Sequence, residues 1–383
     1  MTDVILPGAT LGVLGSGQLG RMFAIAAARM GYHVHVYSPD SDTPAGEVSA
    51  REFTASYSDE TALVEFAKSV EVVTFEFENV PSAVSEQIEK YALIRPSAYV
   101  LDVCQNRLRE KSTLQNCGLP VPRFQPIRSV DDLESSLGQI GLPAVIKTAS
   151  SGYDGKGQAV IRSRDDVDAV WKSLATDEAI LEEFVDFECE VSVVGSRNPG
   201  GETAFYRPFR NTHTNHILDV TICPASLEPG VESRAVEIAQ TLFEQLDIIG
   251  VACVELFVTR NGAVLINEIA PRPHNSGHLT IDAHVTCQFE QQVRAICGLP
   301  PGSVQQHSPA VMVNLLGDLW QTGEPDWASA CLDPGVKLHL YGKSAARVGR
   351  KMGHITALGA SSEDAERLAV ESRGRLAGVN KQR

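Results

Sequence analysis

Asn261-Gly262 separates two apolar, β-branched runs, residues 251–259 and 263–270. An Asn-Gly pair between such runs is the strongest short-range signal for a two-residue hairpin turn. A tight turn puts Arg260 opposite Ala263 and, further along, Glu255 opposite Glu268 on the same face. Two carboxylates roughly 5 Å apart repel by about 3 kcal/mol at an effective dielectric near 20. An apolar hairpin tolerates that pair when a cation lies between the two oxygens, and hard oxygen ligands on short spacing suit Mg²⁺ carrying phosphates. Asn267 beside Glu268 adds a carbonyl oxygen, in a strand position that Asn otherwise disfavours. The alternative is a bulged pairing in which one glutamate faces solvent.

At 383 residues the chain is too long for one ordinary core, so two or three domains are expected. Its 43% hydrophobic and 21% charged content is that of a globular protein. No apolar run is long enough to span a bilayer, and no signal peptide is read. The eight cysteines form no C-x-x-C pair and read as reduced thiols of a cytoplasmic protein. A net charge of −15 argues against a nucleic-acid partner, so local cations must hold any anionic substrate.

Residues 10–100 alternate strand and helix, the pattern of a parallel, doubly wound α/β sheet. Composition changes near residue 103, where residues 105–116 form a charged helix that reads as a linker. From 143 to 270 paired strands dominate, as in an α+β domain. Leu299-Pro300-Pro301-Gly302 marks a second boundary. The expected division is 1–103, 104–300 and 301–383.

Five further motifs carry chemistry. Gly15-Ser16-Gly17-Gln18-Leu19-Gly20 links a strand to a helix, a context in which a phosphate or carboxylate approaches a helix N-terminus. Asp40 lies near the place of a ribose-binding carboxylate, but Pro39 intervenes and nothing later resembles a nicotinamide site. Ser151-Gly152-Tyr153-Asp154-Gly155-Lys156-Gly157 follows the strand bearing Lys147; with no helix after it, it reads as a hairpin folding over a triphosphate. Glu182-Glu183-Phe184-Val185, with Glu190, can offer backbone groups to adenine and a carboxylate to ribose, or be a solvated loop. Pro271-Arg272-Pro273-His274-Asn275-Ser276-Gly277-His278 and the cationic turn Arg347-Val348-Gly349-Arg350-Lys351-Met352-Gly353-His354 read as anion-binding walls. Prolines and Gly277 forbid the helix that a zinc pair at His274 and His278 would use.

The segments GSGQLGRM, TFEFENVP, SGYDGKGQ, NEIAPRPHNSGH and GRKMGHI, in this order, resemble the ATP-grasp superfamily and, within it, the N5-carboxyaminoimidazole ribonucleotide synthase family. The likeness runs from about residue 10 to 360. It implies a Rossmann-like preATP-grasp domain, an ATP-grasp domain and a small C-terminal domain, as a homodimer. It also implies ATP- and bicarbonate-dependent carboxylation of 5-aminoimidazole ribonucleotide through carboxyphosphate, with ATP and Mg²⁺ bound. By resemblance, Arg107, Lys147 and Gly152, Tyr153, Asp154, Gly155, Lys156, Gly157 and Gln158 would hold ATP phosphates. Glu182, Glu183, Phe184, Val185, Glu190 and His213 would hold adenine and ribose, and Glu255 and Glu268 would ligate Mg²⁺ with Asn267 alongside. Gly15, Ser16, Gly17, Gln18, Leu19, Glu76, Arg272, His274, Arg350 and Lys351 would surround the ribonucleotide and bicarbonate. Catalytic roles would fall to Glu76, Tyr153, Asp154, Arg272, His274 and Lys351. Ser151 departs from the glycine more usual there. The rivals are a formate-dependent purine transformylase of the same superfamily and an NAD(P)-linked oxidoreductase.

Overall fold

The computed structural model describes residues 4–150 and 156–376. Ser151, Gly152, Tyr153, Asp154 and Gly155 of the glycine loop lie outside the described residues.

The first sheet comprises β1 (Thr10–Leu14), β2 (His33–Ser38), β3 (Arg51–Thr54), β4 (Val72–Phe75) and β5 (Leu93–Ile94). All pairs are parallel, in the order β3-β2-β1-β4-β5. Alternate residues of β1 face opposite sides: Leu11 and Val13 pack with Met22 and Phe23 of helix Gln18–Arg29, while Leu14 packs with Leu63 and Phe66 of helix Glu60–Lys68. This is the doubly wound arrangement that strand-helix alternation predicts. The short edge strands β3 and β5 carry too little apolar pattern to be read from sequence.

A second, antiparallel sheet comprises β6 (Phe124–Ile127), β7 (Ala144–Thr148), β8 (Gln158–Ile161) and β9 (Ala179–Glu183), in the order β6-β9-β7-β8. Helices Val130–Ile140 and Val167–Leu174 cover one face with Leu133, Leu137 and Val167. The third sheet contains β10 (Phe187–Arg197), β11 (Thr203–Phe205), β12 (Phe209–Thr214), β13 (Ile217–Cys223), β14 (Gly250–Thr259), β15 (Val264–Ala270), β16 (Ala310–Leu316), β17 (Val336–Leu340) and β18 (Lys351–Leu358). Their order is β15-β14-β10-β12-β13-β16-β18-β17, with β11 on β10. The C-terminal strands therefore extend the central sheet, through Val220↔Val313 and neighbouring pairs, instead of forming a sheet of their own.

Helix Gln288–Ile296 fastens the first sheet to the third. Phe289, Val293 and Ile296 pack with Leu19 and Met22. The buried Gln292 amide donates to Thr74 Oγ1 (2.6 Å) and accepts from the Val251 N–H.

Two sequence expectations need correction. The charged helix expected over 105–116 begins at Arg107, two residues later, behind a separate helix at Ala98–Cys104; Asn106 caps it by accepting from Leu108 and Arg109 N–H at 2.9 and 3.1 Å. The cationic turn is only half a turn, because Lys351 already opens β18.

Candidate active site

Glu255 and Glu268 are cross-strand partners, as expected, but the route to that register differs. The loop closes on Thr259, whose N–H donates to Ala263 O (2.9 Å), so three residues lie between that closing pair, with Gly262 at φ +80°. A regular hairpin would then misalign the glutamates by one residue. Pairing steps from Leu256↔Ile266 to Glu255↔Glu268, which leaves Asn267 as a bulge that restores the facing pair. Ile266 and Ile269 consequently enter the same core despite their odd spacing. Asn267 and Glu268 together face the cations of the neighbouring sheet.

Lys147 Nζ, near the end of β7, lies 2.7 Å from Glu182 Oε2 and 3.4 Å from Asn267 Oδ1. Arg107 opens its helix beneath β7, with Nη2 3.9 Å from Glu268 Oε2 and Nη1 donating to Thr148 O (3.3 Å). Glu182 is buried against Lys147 and Lys111; burial would raise its carboxyl, but the two ammonium groups pull it down to about 2. Its carboxylate thus turns into the protein, toward Lys147 and Lys111. Glu183 pairs with Arg123 at 2.7 Å, and Phe184 is exposed. Val185 accepts from the Phe187 N–H at 3.1 Å. Glu190 and His213, on adjacent strands, meet at 2.8 Å. Gln158 opens β8, with Nε2 3.4 Å from His216 Nδ1, and Gly157 hydrogen-bonds Thr148 N–H at 2.7 Å. Lys156 stands at the near edge of the same loop.

Beyond Glu255 the site changes character. His274 Nε2 lies 2.9 Å from Glu255 Oε1, and its Nδ1 lies 2.9 Å from Ser276 Oγ. Burial disfavours both charges, yet each sustains the other: Glu255 falls to about 2, while Cys253 and Glu255 raise His274 to about 10. Glu268 moves the opposite way, raised first by burial and then by Glu255 across the strand. Arg272 forks onto Glu78, at 2.7 and 3.5 Å. The amide of Asn275 is buried, and neither its Oδ1 nor its Nδ2 has a partner among the described residues.

The N-terminal glycine turn is shaped around Glu76. Gly17 and Leu19 N–H groups donate to its two oxygens, the latter at 3.2 Å. A Cβ on Gly17 would lie 2.4 Å from Glu76 Oε1, so glycine is required for this close approach. Ser16 Oγ bonds Ser38 Oγ at 2.6 Å, and Gln18 begins the helix. Asp40 lies exposed beyond β2. Lys343 reaches this region from the C-terminal segment, with Nζ donating to Lys351 O at 2.8 Å. Burial, then Arg350, lowers its ammonium to about 8, while Glu76 opposes the change. Arg350 Nη1 donates to Ala345 O at 2.8 Å. The site therefore runs from the Glu182 edge, across the facing glutamates, to a cationic wall at Glu76.

Sequence reasoning missed Glu78, Glu110, Lys111 and Lys343, and named Asn275 only as part of the anion-binding wall. Glu78 stood inside the quoted segment TFEFENVP and Asn275 inside NEIAPRPHNSGH. The other three carried no local signal.

Family models match the three parts in order: "Ribonucleotide synthetase preATP-grasp domain" over residues 8–105, "ATP-grasp domain" over 112–289, and "Phosphoribosylaminoimidazole carboxylase C-terminal domain" over 310–368. The N5-carboxyaminoimidazole ribonucleotide synthase of Bacillus subtilis is 40% identical, with 92% of each chain covered. The chain belongs to the N5-carboxyaminoimidazole ribonucleotide synthase family. Members of this synthase family are ATP-dependent carbon–nitrogen ligases of purine biosynthesis. The Dictyostelium discoideum "Bifunctional purine synthesis protein purC/E" is also 40% identical over 92% of this chain, which spans only 37% of that longer protein. Among solved structures of the synthase family, an ADP complex superposes with TM-score 0.93 at 41% identity, covering 97% of this chain and 98% of that one. An Aspergillus clavatus synthase with ADP and 5-aminoimidazole ribonucleotide superposes with TM-score 0.87 at 28% identity, covering 96% and 99%. Among the described residues no helix is long and apolar enough to cross a membrane.

Proposed function

We propose that this chain carboxylates 5-aminoimidazole ribonucleotide on its exocyclic amine, using ATP and bicarbonate, through carboxyphosphate. One observation carries the reading: facing carboxylates at Glu255 and Glu268 join a cation-lined nucleotide edge to a second cationic wall at Glu76. The donor set fits a hard divalent ion. Two glutamates on one face, with Glu268 pushed up by Glu255, leave negative charge that Mg²⁺ would neutralise, and Asn267 adds an oxygen. When bound, Mg²⁺ would supply charge neutralisation on the triphosphate.

Arg107, Lys147 and the loop from Gly152 to Gln158 would hold the phosphates, and the Glu182–Val185 edge with Glu190 and His213 would hold adenine and ribose. Bicarbonate then attacks the γ-phosphorus in line, giving carboxyphosphate and ADP. Arg272, His274 and Lys351, with the Asn275 amide, would hold the bicarbonate-derived anion. Gly15, Ser16, Gly17, Gln18 and Leu19, with Arg350 and Lys343, would seat the ribonucleotide. Its amine attacks the carboxyl carbon, phosphate leaves, and the amine loses a proton. Glu76, tied to two backbone N–H groups, suits orienting the amine, which leaves Asp154 as the candidate base beside Tyr153. Closure of the glycine loop would exclude water from carboxyphosphate. The working division remains 1–103, 104–300 and 301–383, acting as a cytoplasmic homodimer.

The decisive test is ADP release measured with bicarbonate and ribonucleotide each omitted in turn. Turnover should require both. Release supported by formate instead of bicarbonate would move the chain to the transformylase reading, and tight NADH binding without ATP binding would favour the oxidoreductase.

A further inference from the structure

β15 is the end strand of the nine-stranded sheet, and among the described residues no strand pairs with its outer edge. That edge is nevertheless closed. Ile266 N–H donates to Pro120 O (2.8 Å). Lys111 Nζ donates to Ile266 O (2.9 Å) and to Asn267 O. Glu110 Oε2 accepts from Ile269 N–H (3.2 Å). Both side chains come from helix Arg107–Asn116, and Glu110 and Lys111 are 3% and 1% exposed. Their contacts bracket the bulge at Asn267 on either side.

A bulge leaves backbone groups out of the ladder, and in a buried place those groups need partners. An apolar side chain at 111 would fill the same space without bringing a charge out of water. A buried ion pair such as Lys111–Glu182 is often no more stabilising than well-packed apolar residues, so stability alone does not account for a buried Lys111 with Glu110 beside it. What it does supply is a fixed position for three consecutive peptide groups, those carrying Asn267 and Glu268.

We propose that Lys111, assisted by Glu110, is a positioning residue: it pins the β15 bulge so that Asn267 and Glu268 both face the nucleotide. The lysine itself contacts neither substrate nor metal. Lys111 Nζ also lies 3.6 Å from Glu182 Oε1, so the same ammonium ties the bulge to the carboxylate that holds Lys147. One buried cation thereby coordinates the metal-binding strand with the phosphate-binding lysine.

The inference rests on the proposed metal role of Glu268, and the test separates the two. Lys111→Met and Lys111→Gln enzymes would be titrated with Mg²⁺ at saturating ATP, beside Glu268→Gln and wild type, with thermal melts of each. Lys111→Met should raise the Mg²⁺ concentration for half-maximal rate at least about tenfold and lower kcat, with the ribonucleotide KM unchanged. Lys111→Gln, which keeps N–H donors, should fall between it and wild type; if Lys111→Met does not fold, Lys111→Gln is read alone. A merely structural lysine would lower the melting temperature and the active fraction without shifting the Mg²⁺ requirement, and that result overturns the proposal. An unshifted requirement in the Lys111 variants beside a shifted one in Glu268→Gln overturns the positioning role alone. Unshifted requirements in both overturn the metal assignment and the inference with it.

Discussion

Lys343 is a cation of the site whose charge burial weakens. Burial and the neighbouring Arg350 lower its ammonium to about 8, against the pull of Glu76. A lysine with a lowered pKa is charged below that value and loses its charge as pH rises through it. If Lys343 holds the ribonucleotide, the KM for that substrate should climb above about pH 8 while the KM for ATP stays level. Lys343→Arg, always charged, should flatten the climb; the same climb in the arginine variant would contradict the assignment. Glu268→Gln is nearly isosteric and relieves the repulsion with Glu255, so it should not lower the melting temperature, while lowering kcat by about 100-fold or more, the scale of losing one preorganised electrostatic contact. Near-normal turnover at ordinary Mg²⁺ would count against a metal role. Lys351→Ala should impair ribonucleotide-dependent turnover with ATP binding retained, as measured by nucleotide titration.

Among elements, helix Arg107–Asn116 does more than its sequence suggests. Its cap, Asn106, is 8% exposed, accepts from two helix N–H groups, and donates to Glu178 Oε2 at 3.2 Å. Asn106→Ala should therefore cost about 1–2 kcal/mol. The melting temperature should fall by about 1–2 °C per kcal/mol, because a long chain has a large unfolding entropy. Because Arg107 follows the cap directly, the KM for ATP should rise as well; an unchanged melting curve would show that the cap carries no weight. The hairpin is the second such element. Asn261-Gly262 marks a turn in any context, so the hairpin and its facing glutamates were legible. The bulge was not, because nothing local distinguishes Asn267 as unpaired. The longer loop and the bulge each shift the register by one residue, and the shifts cancel at Glu255.

At the scale of the molecule, buried neutral histidines gather where the C-terminal strands join the central sheet. His278 and His354 are 1% and 0% exposed, and their rings lie 5.0 Å apart. His354 also stacks on His339 at 4.4 Å, and His339 pairs with Asp282 at 2.7 Å. Burial holds His278 and His354 well below the usual imidazole range, and holds His284 at about 4. The sign follows from proton uptake: as pH falls below about 6.5 the unfolded chain binds protons that the fold does not accept. Stability should then drop from about pH 6.5 down through the folded values, by up to about 1.4 kcal/mol per pH unit for each histidine. Melting temperatures between pH 7.5 and 5 measure this, and His284→Asn should make the slope shallower. A flat profile to pH 5 would contradict it.

The sequence alone determined what depends on near neighbours: the doubly wound first sheet, the glycine turn, the hairpin and its facing acids. Turn chemistry and side-chain periodicity act over a few residues, so a linear reading suffices for them. Tertiary structure alone decided what distant segments do to one another. It brought Lys111 to the edge of β15, Glu76 to the N–H groups of the glycine turn, and Lys343 to Glu76, and it merged the C-terminal strands with the central sheet. Those contacts arise because buried charges and open backbone groups must find partners wherever the fold places them, and no local pattern records where that is.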